Sequence, residues 1–453
     1  MYYNTCMDKV KEPSVANTFY SGNPSELKTQ IESFIRESKN QYPISTRAVI
    51  VPHAGLIYSG RLAYEGISQL DRSVKNIFIF APAHRVGFQG LGLTSYDRWK
   101  TPLGTIDVNQ DITSELIEKF GANYNDDALA PEHSVEIQVP IIQYIFDDVK
   151  IIPVLLGQAE FQDVTKILEE YYPNPENGFI ISSDLSHFLT NEEAYKLDHQ
   201  TALMIESGNL SGFKYEMACG AIGIAGLVNF ANNHKWSLVR IDMTNSSWAT
   251  GDKSRVVGYG SWFLLEDDKN NFIKEYYSDF IIDLAKVVLQ SAFDKEQRTI
   301  DYPQIMDEFG ASFVTLEKNG MLRGCIGSII AHQPLINDLV QNTRNAAFSD
   351  PRFNPLQFEE LNELKIAVSI LTAPTKIVFD NEEDLLNKIV PNKDGIIIKD
   401  GNYQAVYLPS VWEQIPDKKM FLNSLKVKAG LPETHFSNTF EAYRYETIYI
   451  KEE

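Results

Sequence analysis

Four of the eight histidines in this chain follow predicted strands or open a predicted helix. His53, His84 and His187 come after apolar, strand-like runs, and His133 opens an amphipathic run. A single histidine in such a place is more often a hydrogen-bonded loop residue. Two neutral imidazoles at neighbouring strand ends are instead typical of the donor sets that bind iron, zinc or copper. We therefore predict that His53 and His84 bind a divalent metal.

Asp184 and His187 lie close together after a predicted strand. A carboxylate that accepts the imidazole N–H fixes the tautomer of the ring and raises its basicity, as in a general base or an oriented ligand. The alternative is a helix start, with Ser186 or Thr190 as the N-cap of a helix from Asn191. The residues leave both interpretations open.

His133 and Glu136 share one face of a predicted helix whose other face is apolar. A buried polar pair is costly unless it is hydrogen-bonded, so we expect these residues to support the metal site. A structural capping box is the alternative.

Cys219 precedes a predicted helix rich in small residues. A thiol at a helix N-terminus has a lowered pKa and can act as a ligand or a nucleophile. A lone cysteine is more often a small buried apolar residue. We expect Cys219 near the site but not among the ligands.

The elements that must position these side chains alternate between strands and helices from Arg47 to about Glu266. This pattern predicts an α/β domain with a largely parallel sheet, and functional sites in such sheets lie beyond the carboxyl ends of the strands. The predicted strands are 47–51, 76–80, 149–156 and 178–182.

The second half of the chain follows a polar boundary at 267–271. We predict two domains, 1–268 and 269–453. Asn319-Gly320 and Asp400-Gly401 between apolar runs indicate β-hairpins, so the second domain is predicted to be α+β with antiparallel strands.

Composition excludes several classes of protein. The net charge of -20 argues against binding to nucleic acid. Three scattered cysteines indicate neither a disulfide framework nor a thiolate zinc site. Without a membrane-length apolar segment or a signal-like start, we expect a soluble, cytoplasmic protein.

The first half resembles the Memo family, also called AmmeMemoRadiSam system protein B, over residues 10–266. The motifs that carry the resemblance are VANTFY at 15–20, VPHAGLIYSG at 51–60, EHSVEIQ at 132–138, SSDLSH at 182–187 and CG at 219–220. The resemblance implies the fold of class III extradiol dioxygenases.

By the same resemblance, His53 and His84 are the expected metal ligands, with His187 a candidate for the third, and iron is the expected metal with copper or zinc the alternatives. His187 also corresponds to the catalytic base of the dioxygenases, beside Asp184. Animal members supply a late cysteine ligand, which the stretch 243–252 lacks. The third ligand therefore stays open between His187, Asp184, Cys219 and Asp252.

The second half resembles the AMMECR-type domain, AmmeMemoRadiSam system protein A, over about 272–450. The matching motifs are LRGCIG at 322–327, DPRF at 350–353, LPSV at 408–411 and KAGL at 428–431. Arg323 and Cys325 point to the same face of a strand, so the guanidinium could stabilise a reactive thiolate. A cysteine packed between two glycines is the alternative.

Together the two resemblances imply a metal-dependent redox or dioxygenase-related protein that acts on a small molecule or peptide. They also imply a separate radical SAM partner, because this chain has no CxxxCxxC motif. Two other functions stay open. The chain could be a non-catalytic scaffold with an enzyme-like pocket, or a hydrolase or transferase that uses Cys325.

Overall fold

The described residues of the computed structural model are 8–38, 42–294, 300–372 and 374–452. The chain divides into two compact units between Lys269 and Asn270. Cys6 lies outside the described residues. Within them, every helix is too short or too polar to cross a membrane.

The first unit contains one large sheet with helices around it. Its strands are β1 (Val10–Lys11), β2 (Ala48–Val51), β3 (Asn76–Pro82), β4 (Leu91–Leu93), β5 (Arg98–Thr101), β6 (Gly104–Val108), β7 (Asn123–Tyr124), β8 (Lys150–Leu156), β9 (Asn177–Ser182), β10 (His187–Leu189), β11 (Ser237–Asn245) and β12 (Val256–Leu265). Its helices are α1 (Pro24–Glu37), α2 (Leu56–Ser68), α3 (Gln110–Phe120), α4 (Asp126–Leu129), α5 (His133–Glu136), α6 (Val139–Ile145), α7 (Phe161–Tyr171), α8 (Asn191–Ser207), α9 (Ala221–His234) and α10 (Ser247–Thr250).

The centre of this sheet is parallel, in the order β8, β3, β9, β2. These strands are buried almost throughout, which explains why they read as continuous apolar runs rather than alternating ones. The predicted α/β fold and its four predicted strands are therefore confirmed. Because β3, β9 and β2 are adjacent and parallel, the segments that follow them meet at one edge of the sheet.

The second unit contains two antiparallel sheets and several helices. Its strands are β13 (Phe309–Lys318), β14 (Met321–Gly327), β15 (Gln333–Pro334), β16 (Leu364–Leu371), β17 (Thr375–Ile377), β18 (Gly395–Asp400), β19 (Tyr403–Tyr407), β20 (Glu441–Tyr445) and β21 (Thr447–Lys451). The helices from the boundary onward are α11 (Lys269–Asp294), α12 (Leu335–Phe348), α13 (Glu382–Lys388) and α14 (Lys418–Lys428).

Both predicted hairpins of the second unit are confirmed. β13 and β14 pair across a turn in which Asn319 and Gly320 have φ angles of 53° and 75°. β18 and β19 pair across a turn in which Gly401 has a φ of 58°. Positive φ angles suit glycine and asparagine, which is why these dipeptides identify the turns. The sheet orders are β14-β13-β16-β21 and β17-β20-β18-β19.

Helices α7 and α9 approach closely in the first unit because α9 carries a glycine at the contact. A Cβ atom on Gly226 would lie 2.5 Å from Val164 Cβ and 3.0 Å from the Phe161 carbonyl oxygen. The Thr165 hydroxyl also donates a hydrogen bond to the Gly226 carbonyl at 3.0 Å. The small residues that open α9 therefore serve helix packing.

Replacing Gly226 with alanine is expected to lower the free energy of unfolding by about 1 to 2 kcal/mol. The overlap with α7 costs up to about 3 kcal/mol, and the better helix propensity of alanine returns only about 1 kcal/mol. Urea denaturation measures the change. Gly87→Ala is the control, because a Cβ there meets no atom within 4 Å. Equal effects at the two positions would contradict the packing argument.

Candidate metal centre

Three imidazoles meet at the carboxyl edge of the parallel sheet. His53 follows β2, His84 follows β3, and His133 is the first residue of α5. One ring nitrogen from each lies within 4.8 Å of the others. The side chains are 23% exposed for His84 and 13% for His133, whereas His53 is 1% exposed. The cluster is therefore closed at His53 and reaches solvent at His84.

The third imidazole of the cluster is His133, which the sequence analysis gave only a supporting role. The predicted helix over this segment is broken into α5 and α6, so His133 lies at a helix start rather than within a helix face. Its predicted pairing with Glu136 is wrong. The carboxylate beside its ring is Glu132, with Oε1 3.0 Å from His133 Nδ1. A sequence signal existed: Glu132 directly precedes a helix and so is placed to cap it.

Glu132 orients two of the three imidazoles. Its Oε1 lies 3.1 Å from His84 Nδ1, and its Oε2 accepts the His84 backbone N–H at 2.7 Å. The same carboxylate caps α5 by accepting the N–H groups of His133 and Ser134. Burial acts to raise the pKa of Glu132, but the contacts with His133 and His84 hold it well below its usual value. Glu132 is thus a buried anion beside two rings.

His53 is held by hydrogen bonds that leave one ring nitrogen facing the cluster. Its Nδ1 lies 3.0 Å from Ser182 Oγ, which also receives a hydrogen bond from Gln138 Nε2. Its backbone N–H donates to Asp184 Oδ1 at 2.7 Å. Burial and the neighbouring His84 and His133 lower the pKa of His53 well below its usual value. The ring is therefore neutral, as metal binding requires.

Cys219 lies beside the cluster, as expected. Its Sγ is 3.2 Å from His53 Nε2. The approach depends on Gly220, where a Cβ would lie 2.6 Å from Ser183 Cβ. Burial raises the pKa of the Cys219 thiol, which agrees with the alternative of a small buried residue rather than with a thiol activated by a helix N-terminus. The short polar contact with His53 distinguishes Cys219 from an ordinary buried apolar residue.

His187 lies outside the three-imidazole cluster, at the start of β10. The Asp184 carboxylate accepts a hydrogen bond from the His53 backbone N–H. Within the described ranges, no hydrogen bond joins Asp184 to His187. His187 still acts electrostatically on His53 and Asp184. Burial raises the pKa of Asp184. The catalytic role of His187 stays a prediction, and the helix that follows is capped by Thr190.

Comparison with known families identifies both halves of the chain. The family described as Memo-like protein matches residues 11–263, more than half of the chain. The chain belongs to the Memo-like protein family. An AMMECR1 domain, matched over residues 282–450, follows in the same chain. The fusion predicted from the sequence is confirmed.

The relatives of the Memo-like domain include two prokaryotic proteins. A MEMO1 family protein of Aquifex aeolicus is 29% identical over 268 residues, covering 57% of this chain and 100% of that protein. A MEMO1 family protein of Thermoplasma acidophilum is 33% identical over 264 residues, covering 55% and 97%. The crystal structure of an uncharacterized protein from Pyrococcus horikoshii is 31% identical, with 39% of this chain and 91% of that chain covered and a TM-score of 0.36.

Asp252 does not join the imidazoles of the Memo-like domain. Its carboxylate accepts hydrogen bonds from the backbone N–H and hydroxyl of Ser254, in an exposed turn. Among the described groups that could hold a metal, the cluster contains only His53, His84 and His133. The proposal of Asp252 as a replacement ligand therefore has no support in the geometry.

Glu136 shapes the Memo-like site from behind. It forms a buried ion pair with Lys11 at 2.6 Å and accepts the Tyr20 hydroxyl at 2.6 Å. It also accepts the backbone N–H and hydroxyl of Ser14. These bonds hold the N-terminal segment in place, and Phe19 in that segment packs on the His133 ring at 4.6 Å between centroids. Glu136 therefore supports the site indirectly, by fixing the segment whose Phe19 packs against His133.

In the AMMECR1 domain the predicted pairing of Arg323 with Cys325 is wrong. Arg323 donates two hydrogen bonds to Glu360, at 3.0 and 2.9 Å. The guanidinium beside Cys325 belongs to Arg352, whose Nη2 donates to the Cys325 carbonyl at 3.1 Å. Asp350 anchors this arrangement by accepting the Cys325 N–H and pairing with Arg352. The sequence analysis named the motif at 350–353 only as part of the family resemblance and did not predict that Arg352 lies beside Cys325.

A buried carboxyl in α8 makes the stability of the Memo-like domain depend on pH. Asp198 accepts the Ser186 N–H at 3.0 Å, and burial raises its pKa to about 6. An acid whose pKa is higher in the folded state contributes its full stability below the unfolded value near 3.8. That contribution is lost as pH rises from about 4 to about 6.

Asp198→Asn is expected to gain about 2 to 3 kcal/mol relative to wild type between pH 4 and pH 7. The amide cannot ionise, while its oxygen can still accept the Ser186 N–H. Urea denaturation of both proteins across this range measures how the difference in their unfolding free energies changes with pH. A cost of the amide that does not depend on pH shifts this difference equally at every pH and so does not affect its change. Parallel stability curves would rule out a raised pKa at Asp198.

Arg352→Ala is expected to slow alkylation of Cys325 by iodoacetamide roughly fivefold, equivalent to about 1 kcal/mol of lost attraction for negative charge on sulfur. Mass spectrometry of the peptide containing Cys325 measures the rate. Arg323→Ala is the control and should leave the rate unchanged, because Glu360 occupies that guanidinium. A larger effect from Arg323→Ala would restore the original pairing.

Proposed function

We propose that the Memo-like domain binds a divalent transition metal and uses it in redox chemistry related to that of extradiol dioxygenases. The substrate class is a small molecule or peptide, and the expected partner is a separate radical SAM protein. The observation that carries the proposal is the set of three imidazole nitrogens within 4.8 Å of one another. Iron is the first choice because of the family resemblance, and zinc and copper suit the same donors.

The protonation of the residues supports a cation at this position. His53 is neutral, and His133 Nδ1 lies 3.0 Å from Glu132 Oε1. Glu132 is fully buried, and the only basic side chains paired with it in the described ranges are His84 and His133. A buried carboxylate without a lysine or arginine partner is costly. A cation held by the two rings would compensate this charge.

Hydrogen bonds to the outer ring nitrogens of His84 and His53 hold these imidazoles in fixed orientations. Carboxylates and hydroxyls that engage the far nitrogen of a ligating imidazole fix its orientation and increase its basicity. Glu132 takes this position for His84, and Ser182 takes it for His53. A bound iron or copper would supply electron transfer or Lewis acidity to a substrate. The substrate would arrive on the solvent side, beside His84.

Proton transfer in this proposal falls to the 184–187 segment. Asp184 fixes the backbone of His53 and is itself buried, so it serves as a positioning residue. His187 is half-buried next to it and near enough to affect its charge. An imidazole outside the ligand set keeps a free nitrogen for accepting a substrate proton.

Metal analysis tests the proposal. Full-length protein, produced with iron and purified without a histidine tag, is expected to hold roughly one metal ion per chain. His84→Ala and His133→Ala should each lower the content at least about tenfold. His187→Ala should retain it, and so should the control His332→Ala, which removes an exposed histidine of the AMMECR1 domain.

The proposal fails if wild type takes up no stoichiometric iron, zinc or copper when each is offered. It also fails if His84→Ala and His133→Ala keep the wild-type content while circular dichroism shows them folded. Loss of metal in His187→Ala alone would replace this ligand set by one in which His187 is the third ligand, an alternative that the sequence leaves open.

A second candidate function concerns Cys325 of the AMMECR1 domain, as a nucleophile in a hydrolase or transferase. The supporting observation is the hydroxyl of Thr315, which donates to Cys325 Sγ at 3.3 Å, together with the charge of Arg352 close by. Both groups favour negative charge on sulfur. Alkylation of Cys325 in wild type no faster than that of free cysteine at the same pH would overturn this candidate.

A further inference from the structure

We propose that Arg255 and Phe188 form a binding subsite beside the imidazole cluster of the Memo-like domain, and that this subsite holds the anionic group of a small-molecule substrate. The group is a carboxylate or a phosphate attached to an apolar or aromatic body. The proposal rests on the proposed function, because it names the substrate class of that site. The observation that carries it is an exposed guanidinium stacked on an exposed aromatic ring next to His187.

Phe188 is held in a backbone conformation that bulky residues rarely adopt. Its φ is 62°, in the left-handed region, and it lies where the register of β10 with β12 shifts between His187 and Leu189. Bulges of this kind occur next to active sites, where they redirect a side chain. The phenyl ring that results is 60% exposed. A strained backbone that presents an apolar ring to solvent gains nothing for the fold, so it indicates a role in binding.

The Arg255 guanidinium lies over this ring, with Cζ 4.3 Å from the ring centre. Within the part of the chain that the structure describes, the Arg255 side chain forms no ion pair and donates no hydrogen bond. The nearby carboxylate of Asp252 accepts hydrogen bonds from Ser254 instead. A stacked guanidinium uses its face on the ring and keeps its N–H edge for a carboxylate or a phosphate. Arg255 is therefore an oriented donor that has room for an anion.

The charge of the chain makes an unpaired arginine informative. The chain carries 61 aspartates and glutamates against 41 lysines and arginines, so carboxylate partners are abundant. Arg61 and Arg240 of the same domain both pair with carboxylates. Among the residues described, Arg255 does not, and neither does Arg85, which directly follows His84. Positive charge beside the cluster attracts and orients an anionic ligand within an otherwise negative field.

Phe188 connects Arg255 to the imidazole cluster. Its ring meets the His187 ring edge-on, with 5.7 Å between the centroids. His187 in turn acts electrostatically on His53 and Asp184. A ligand whose anionic group is bound by Arg255 would therefore lay its body across Phe188, towards His187 and the cluster. Recognition of the substrate and proton transfer would then fall to neighbouring residues on one side of the site.

Small probes test the subsite in metal-free protein, in which an anion cannot bind to a metal. Full-length protein is stripped with a chelator and titrated with benzoate, phenyl phosphate or the neutral benzamide at millimolar concentrations, and ligand-detected NMR measures binding. Benzoate or phenyl phosphate should bind at least about tenfold more tightly than benzamide, because only the anions form charge-assisted hydrogen bonds. The tighter of the two identifies the recognised group as a carboxylate or a phosphate.

Arg255→Gln should weaken binding of the anion at least about tenfold, because the amide carries no charge. Arg36→Gln is the matched control and should leave binding unchanged, since it removes an exposed arginine from the last turn of α1. Phe188→Gly should also weaken binding but keep a melting temperature close to that of wild type, because glycine adopts a positive φ without strain. A lower melting temperature with unchanged binding would overturn the role of Phe188.

Equal binding of the anions and benzamide, or no binding of either anion, would overturn the subsite. Wild-type affinity in Arg255→Gln would overturn it as well. The metal site is judged separately, because Arg255→Gln should keep the metal content of wild type. Anion binding by a protein that takes up no metal would overturn the proposed redox function alone, whereas full metal content without anion binding would overturn the subsite alone.

Discussion

Parallel pairing of β2, β3 and β9 is the constraint on which the candidate metal centre depends. Parallel strands expose their carboxyl ends at one edge, so the segments that begin at Pro52, Ala83 and Ser183 must start within a few strand spacings of one another. A strand spacing is only about 4.8 Å. Side chains far apart in sequence are thereby brought to a common point, and loop sequence then decides which side chains are presented.

Two buried carboxylates near α5 then perform separate tasks. Glu136 is neutralised by Lys11 and fixes the N-terminal segment behind the cluster. Glu132 has imidazoles in place of a lysine or arginine, and its charge stays directed at the cluster. Buried ion pairs are a poor source of net stability, but removal of one partner is costly. The two glutamates thus differ in their partners: a lysine neutralises Glu136, whereas Glu132 faces two imidazoles.

The strands, the central parallel order and the hairpin turns could be predicted because they follow from local patterns. Continuous apolar runs identify buried strands, and Asn319-Gly320 identifies a turn that needs positive φ. The members of the three-imidazole cluster were harder to predict. His133 follows no strand, and its position depends on the break between α5 and α6, which helical periodicity does not reveal.

The electrostatic partners were harder still. Arg323 lies at a register shift in the pairing of β13 with β14, and Glu360, on a separate segment, takes its guanidinium. Arg352 then comes to Cys325 through Asp350. Such contacts join residues from distant parts of the chain, so spacing along one strand cannot select among competing partners. Burial, which sets the protonation of His53 and Cys219, is likewise a property of the assembled core.

The position of β12 has a consequence for synthesis on the ribosome. β12 (Val256–Leu265) is the last strand of the first unit, yet it pairs with β2, one of its earliest strands, and with β11. Until β12 has left the exit tunnel, one edge of β2 lacks its neighbour. A nascent chain that ends before this strand therefore has an open sheet edge beside the segment that carries His53. The edge of β2 beside His53 is thus covered only after the first unit is fully translated, while the second unit is still being made.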